Sequence, residues 1–248
     1  MSAPAQTNDL AGWPVAILAG GLATRLRPMT EKIPKALVTL AGEPFLAHQL
    51  RLLHSAGLRR VVVCAGHLGE MVEAEFGEGA RFDMQIAYSF DGPRLLGTGG
   101  ALRQARALLG ERFFVLYGDS YLPIDYGRVA RAFLESGKPA LMTVFKNEGQ
   151  WDTSNVWFEE GEIRAYDKIS RTPRMHHIDY GLGILSDQVL SDWKAGEAFE
   201  LASLYQQLVA KNQLASYEVT QRFYEIGSPQ GLTELDDLLR RQPSLSHP

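Results

Sequence analysis

The chain has 248 residues, 45% of them hydrophobic and 22% charged, with a formal net charge of −4. That length suits one large α/β domain or two small ones and needs no staple to bury a core. A single cysteine, Cys64, excludes a disulfide framework and a Cys-rich metal site; the acidic balance argues against a dedicated nucleic-acid binder; no apolar run reaches the roughly 18–20 residues that span a bilayer.

In chain order, residues 1–12 read as a flexible N-terminal tail. The first Lys or Arg is Arg25, so the basic start of a secretory signal is missing and a cytoplasmic setting is expected. Val15-Ala16-Ile17-Leu18 is a short apolar run that enters a Gly-rich loop. Helical spacing of Phe45, Leu46, Leu50, Leu52 and Leu53 predicts a helix over Pro44 to Ala56. Arg60 to Cys64 is a β-branched strand, His67 to Phe76 is helix-like, and Gln85 to Tyr88 is strand-like. Gly99 to Leu109 predicts a helix and Phe113 to Tyr117 a buried strand. A further helix at Val129 to Leu134 and a strand at Ala140 to Phe145 follow. This rhythm implies right-handed βαβ units and a Rossmann-like three-layer α/β/α fold with a mixed, mostly parallel sheet. Ligands then sit at the carboxyl ends of the strands.

After about residue 146 the rhythm changes. Val156 to Phe158 and Ile163 to Tyr166 flank Glu159-Glu160-Gly161-Glu162, which reads as a hairpin turn. Helices are expected at Ser186 to Trp193 and Phe199 to Lys211, a strand pair near Ala215 to Ile226, and a last helix from Ser228 to Arg240. The expected organisation is a single domain over 13–241, with a nucleotide-facing half at 13–145 and a substrate-facing half at 146–241, which the family resemblance given below makes the nucleotide-binding and sugar-binding halves.

Three segments carry the chemistry. In Leu18-Ala19-Gly20-Gly21, small residues after the first strand let backbone N–H groups approach an anion. Arg25 can pair bidentately with phosphate oxygens, and Lys35 returns as a second point charge. The Gly-x-Gly-x-x-Gly dinucleotide fingerprint and the Gly-Lys-Ser/Thr close of a P-loop are both missing. Leu96-Gly97-Thr98-Gly99-Gly100-Ala101 opens a helix, and its glycines would let a planar base lie against backbone; the plainer reading is a Thr98 cap with glycines for turn geometry. Asp91 lies just upstream as an acidic candidate, which the family resemblance given below places at a guanine edge. Gln85 is a second polar candidate for the base, against a reading as a strand-surface residue. Gly118-Asp119 ends a buried strand, where an acid is placed to hold a hard cation. His176 and His177 alternate across a strand, which argues against a zinc site.

The loop from Leu18 to Pro28, with Pro34-Lys35, resembles the signature of the sugar-1-phosphate nucleotidylyltransferases, and the resemblance runs from about Val15 to Leu238. It is closest to the short heptose- and hexose-1-phosphate enzymes. The resemblance implies nucleotidyl transfer from a nucleoside triphosphate to a sugar 1-phosphate, with GTP favoured and CTP or UTP open. It implies catalytic roles for Arg25, Lys35 and Asp119, and nucleotide contacts from Leu18, Ala19, Gly20, Gly21, Gly97, Thr98 and Gly99. Mg²⁺ is the implied cofactor, held by Asp119 and by Glu225, where the family commonly has an Asp. Lys168 would contact the sugar phosphate, preceded by Asp167 where the family usually has Glu. Asp179, Tyr180 and Gly181 would line the sugar pocket. Ala23 stands where the family usually has Gly. A nucleotidylyltransferase for a non-sugar phosphate, a non-catalytic nucleotide-sugar-binding subunit, and a homo-oligomer stay open. No nucleic-acid or membrane partner is expected.

Overall fold

In the computed structural model, which describes residues 10–21, 24–26 and 28–241, the first apolar run forms β1 (Pro14–Ala19). Two short strands, β2 (Thr39–Leu40) and β3 (Glu43–Pro44), lead into α1 (Phe45–Ser55). Alternation continues through β4 (Arg60–Ala65), α2 (Gly69–Phe76), β5 (Gln85–Phe90), α3 (Gly97–Leu109) and β6 (Arg112–Tyr117). Then come β7 (Ser120–Tyr121), α4 (Tyr126–Ser136) and β8 (Ala140–Lys146). The later elements are β9 (Val156–Glu159), β10 (Glu162–Tyr166), β11 (His177–Ser186), α5 (Leu201–Ala210), β12 (Leu214–Val219), β13 (Tyr224–Glu225) and α6 (Pro229–Arg241).

One nine-stranded sheet takes strands from both halves of the chain, along the path β10-β9-β11-β6-β1-β4-β5, with β8 beside β11 and β12 beside β8. β1 runs parallel to β4 and β6, and β4 to β5; β11 enters antiparallel to β6 and β8. Period-2 alternation sorts the side chains. Val15, Ile17, Val61 and Val63 face α1, α2 and α4, while Ala16, Val62 and Cys64 face α3 and α5. This makes three layers. Burying each large aliphatic side chain contributes roughly 1.5–3 kcal/mol. The β9–β10 hairpin closes on Glu160 (φ 54°) and Gly161 (φ 79°), the two positive-φ residues that a type I′ turn needs.

Three expectations are corrected. Residues 10–12 belong to the fold rather than to the tail: Leu10 is buried, and Trp13 N–H donates to its carbonyl at 2.9 Å. The helix over Ser186 to Trp193 is only a 3₁₀ turn at Asp187–Leu190. Its first residue is tied across the molecule, with Asp187 N–H on the Glu111 carbonyl at 2.9 Å and Arg106 on its carboxylate at 2.8 Å. The last two strands do not pair with each other. β12 runs parallel to β8, and β13 pairs antiparallel with β7. Residues 1–9, Ala23 and the C-terminal QPSLSHP lie outside the described residues.

Register fixes the functional edge. Leu18 is level with Cys64 and Tyr117, and Cys64 with Ser89. Gly20, Asp91 and Gly118 therefore leave the sheet along one carboxyl edge.

Candidate active site

A two-lobed cleft opens at that edge. The first lobe, about 660 Å³, is lined by Leu18, Ala19, Gly20 and Gly21 from the first loop, by Lys35, and by Asp91, Gly97 and Thr98. The second, about 350 Å³, is lined by Arg25, Asp179, Tyr180, Gly181 and Glu225. Tyr117, Asp119 and Lys168 line both. The chain thus brings together, at the mouth of β6, residues that are up to about 200 positions apart in sequence.

At the junction Lys35 Nζ meets Asp119 Oδ2 at 3.0 Å, with side-chain exposures of 16% and 34%. Pro34, with φ −67° and ψ 150°, delivers Lys35 to a single 3₁₀ turn at Lys35–Leu37. Asp119 follows Gly118, whose N–H donates to the Leu18 carbonyl at 3.1 Å and so closes β6 against β1. Glu225 lies one ladder step away: it pairs with Ser120, and Ile226 N–H donates to the Asp119 carbonyl at 2.9 Å. The Glu225 carboxylate accepts from Gly227 N–H and from Ser228 Oγ (2.6 Å), and Ser228 Oγ in turn accepts from Gly231 N–H at 3.0 Å, capping α6. Arg25 reaches the same place, since a Cβ built on Gly227 would lie 3.0 Å from Arg25 Nη2.

Asp119, in the turn between β6 and β7, and Glu225, on β13, are a donor set that suits Mg²⁺. This ion takes one or two carboxylates and completes its shell with phosphate oxygens and water. Among the described residues no group of three or more His, Cys, Asp or Glu gathers to form a protein cage.

On the base side, Asp91 Oδ2 accepts from Leu96 N–H at 3.1 Å. Burial pushes its carboxyl above the ordinary Asp range, and the Leu96 N–H offsets part of that rise. Cys64 also lines the lobe, with burial holding its thiol up at about 12, so it stays an inert neutral group. The Thr98 hydroxyl accepts from Leu201 N–H (2.8 Å) and donates to Glu200 (2.7 Å), so it caps α5 rather than its own helix. Gly99 is corrected as a base contact: it packs edge-on against the Phe199 ring, which occupies the space a Cβ would need, and Phe199 stacks on Trp193 at 3.7 Å. Gln85 is corrected too. It is exposed at the amino end of β5, level with Arg60 and Pro14, at the opposite edge of the sheet from the cleft.

On the sugar side, Lys168 Nζ lies 3.3 Å from Tyr117 Oη and 4.8 Å from the centre of its ring. Asp167 is a turn residue, accepting from Ile169 N–H (2.7 Å) and Ser170 N–H (2.8 Å), a reach that suits Asp at this position. Asp179 accepts from Tyr117 Oη (2.8 Å), Tyr166 Oη (3.1 Å) and Gly181 N–H (3.1 Å). Tyr180 is buried, its hydroxyl 3.4 Å from the Arg222 carbonyl. Gly181, at φ 95°, sits in the bulge where β11 shifts register against β8. Sequence reasoning missed Tyr117 and Glu200. Tyr117 carries a signal, since alternation places it on the face of Phe113 and Val115; Glu200 reaches the first lobe only through tertiary packing.

The sequence model described as "Nucleotidyl transferase" matches residues 15–154. The chain is 31% identical over 219 residues to the mannose-1-phosphate guanylyltransferase catalytic subunit beta of Xenopus tropicalis, covering 86% of this chain and 61% of that protein. It is 26% identical over 234 residues to the N-acetylmuramate alpha-1-phosphate uridylyltransferase of Neisseria meningitidis, covering 90% of this chain and 96% of that one. Among solved structures, HddC from Yersinia pseudotuberculosis complexed with GMP-PN superposes with a TM-score of 0.74 at 21% identity, over 92% of this chain and 99% of that one. The fold is therefore shared with that protein, and the chain spans about 61% of the length of the guanylyltransferase relative.

Proposed function

The chain belongs to the nucleotidyl transferase family, and from that premise we propose that it transfers a nucleoside monophosphate from a nucleoside triphosphate to a sugar 1-phosphate, giving a nucleotide sugar and pyrophosphate. The two-lobed cleft carries the reading. Its first lobe suits a nucleotide and its second a sugar phosphate, and they meet at Tyr117, Asp119 and Lys168.

In the reaction, an oxygen of the sugar phosphate attacks the α-phosphorus of the triphosphate in line. The bond from that phosphorus to the β-phosphate bridging oxygen breaks, and pyrophosphate leaves. No proton needs to move, so no Ser, Cys or His nucleophile is required. The task is to hold two polyanions together and to stabilise the charge on the leaving group. Lys35 and the backbone N–H groups of Gly20 and Gly21 face the triphosphate. Lys168 draws the sugar phosphate to the boundary, and Arg25 adds a cation beside Glu225. Asp119 and Glu225 would hold Mg²⁺, which when bound neutralises phosphate charge.

Asp91 supports guanine as the favoured base, because a carboxylate accepts from the N1–H and N2–H₂ donors that only guanine presents together. A triphosphate substrate supports a cytoplasmic setting. The test is a matrix of four nucleoside triphosphates against several sugar 1-phosphates with Mg²⁺, read as pyrophosphate. Release that requires both substrates, fastest with GTP, supports the reading; no release from any pair overturns it.

A further inference from the structure

We infer that Tyr117 is a positioning residue that holds the Lys168 ammonium at the boundary of the two lobes, with Asp179 as its anchor. This deepens the nucleotidyl-transfer reading and rests on it.

The direction of the hydrogen bonds is forced by chemistry. An ammonium only donates, so Tyr117 Oη must accept from Lys168 at 3.3 Å. The hydroxyl has one proton, which is left for Asp179 Oδ2 at 2.8 Å. Asp179 is itself held from other sides. Tyr166 Oη donates to the same oxygen at 3.1 Å, Gly181 N–H donates to the other at 3.1 Å, and Asp179 N–H donates to Asn155 Oδ1 at 2.9 Å.

Lys168, by contrast, is exposed on the chain that leaves β10, and its four-carbon stem is free to swing. Tyr117 holds it twice, through the hydroxyl and through the ring face, with the ammonium 4.8 Å from the ring centre. The row Asp179, Tyr117, Lys168 therefore fixes a point charge where the attacking phosphate must sit. Asp179, expected to line the sugar pocket, is reassigned to this support.

The test is a double-substitution cycle on the full chain with Tyr117→Phe, Lys168→Met and both together. Tyr117→Phe keeps the ring and removes the hydroxyl. It should raise KM for the sugar 1-phosphate about tenfold, the cost of one charge-assisted hydrogen bond, with KM for the triphosphate within about twofold of wild type. On the Lys168→Met background the same change should cost less than about twofold, because the group it positions is gone. If Tyr117→Phe fails to fold, Asp179→Asn tests the support from its other end and should shift the same sugar-side KM alone. Equal losses from Tyr117→Phe on both backgrounds, or an unchanged sugar-side KM, overturn the inference alone. A wild-type chain that releases no pyrophosphate with any pair overturns the underlying reading and the inference with it.

Discussion

Asp119 and Lys35 face each other at 3.0 Å as an ion pair. Asp119→Asn removes the charge and keeps the shape. It should leave the thermal midpoint within a few degrees and lower turnover by roughly 10²–10³, the cost of losing one preorganised stabilising group. Steady-state pyrophosphate release, with a melt as control, checks both. Asp91 behaves differently. Its carboxyl is raised by burial, so the folded value lies above the unfolded one. Its contribution to stability is present below the unfolded value and is lost as pH rises through the folded one. Above that folded value the ionised side chain costs stability. Asp91→Asn keeps an acceptor for Leu96 N–H and should melt no lower than wild type at pH 7. The preference for GTP over UTP should fall about tenfold or more, as one or two charge-assisted bonds to guanine are lost; the ratio of kcat/KM for the two triphosphates measures it.

The first turn of α3 lies against the 197–200 loop: Gly99 N–H and Gly100 N–H both donate to the Phe199 carbonyl, at 3.0 and 3.1 Å. A methyl at Gly99 would strike the Phe199 ring. Gly99→Ala should lose about 1–3 kcal/mol, as overpacking of a tight contact does. Phe199→Leu on the same chain should restore part of that loss in urea unfolding. This contact also shows what the sequence conveyed at this scale. The glycines of Leu96 to Ala101 were visible, but their partner is about a hundred residues away, so a base contact and a packing contact looked alike. The βαβ alternation from Val15 to Phe145 was legible because local periodicity and burial agree there. β13 was placed with the wrong partner because its two-residue pairing with β7 leaves no period to read. Gln85 had the right chemistry for a base contact, but residue type alone does not say which end of a strand meets the cleft.

Across the whole molecule, the shared sheet places the late strands beside the early ones, so the second lobe takes Tyr117 from β6 together with Asp179, Tyr180 and Gly181 from β11. The placement of Asp119 beside Glu225 was legible only through family resemblance, since nothing local links residues 119 and 225. The fold also carries a pH limit. His48 is buried, with its Nε2 2.8 Å from the Leu40 carbonyl, and burial lowers its pKa. A folded value below the unfolded one means that stability is complete above about pH 6.5 and is lost as pH falls below it. Urea midpoints between pH 5 and 7.5 should decline on the acid side, and His48→Gln should flatten the curve. The central claim is nucleotidyl transfer to a sugar phosphate across the two lobes, and the most direct measurement follows the label. GTP carrying ³²P at the α- or the γ-position is given to the chain with Mg²⁺ and a sugar 1-phosphate. The account predicts α-label in a nucleotide sugar and γ-label in pyrophosphate; γ-label released as inorganic phosphate, or no α-label joined to sugar with any sugar 1-phosphate tried, would contradict it.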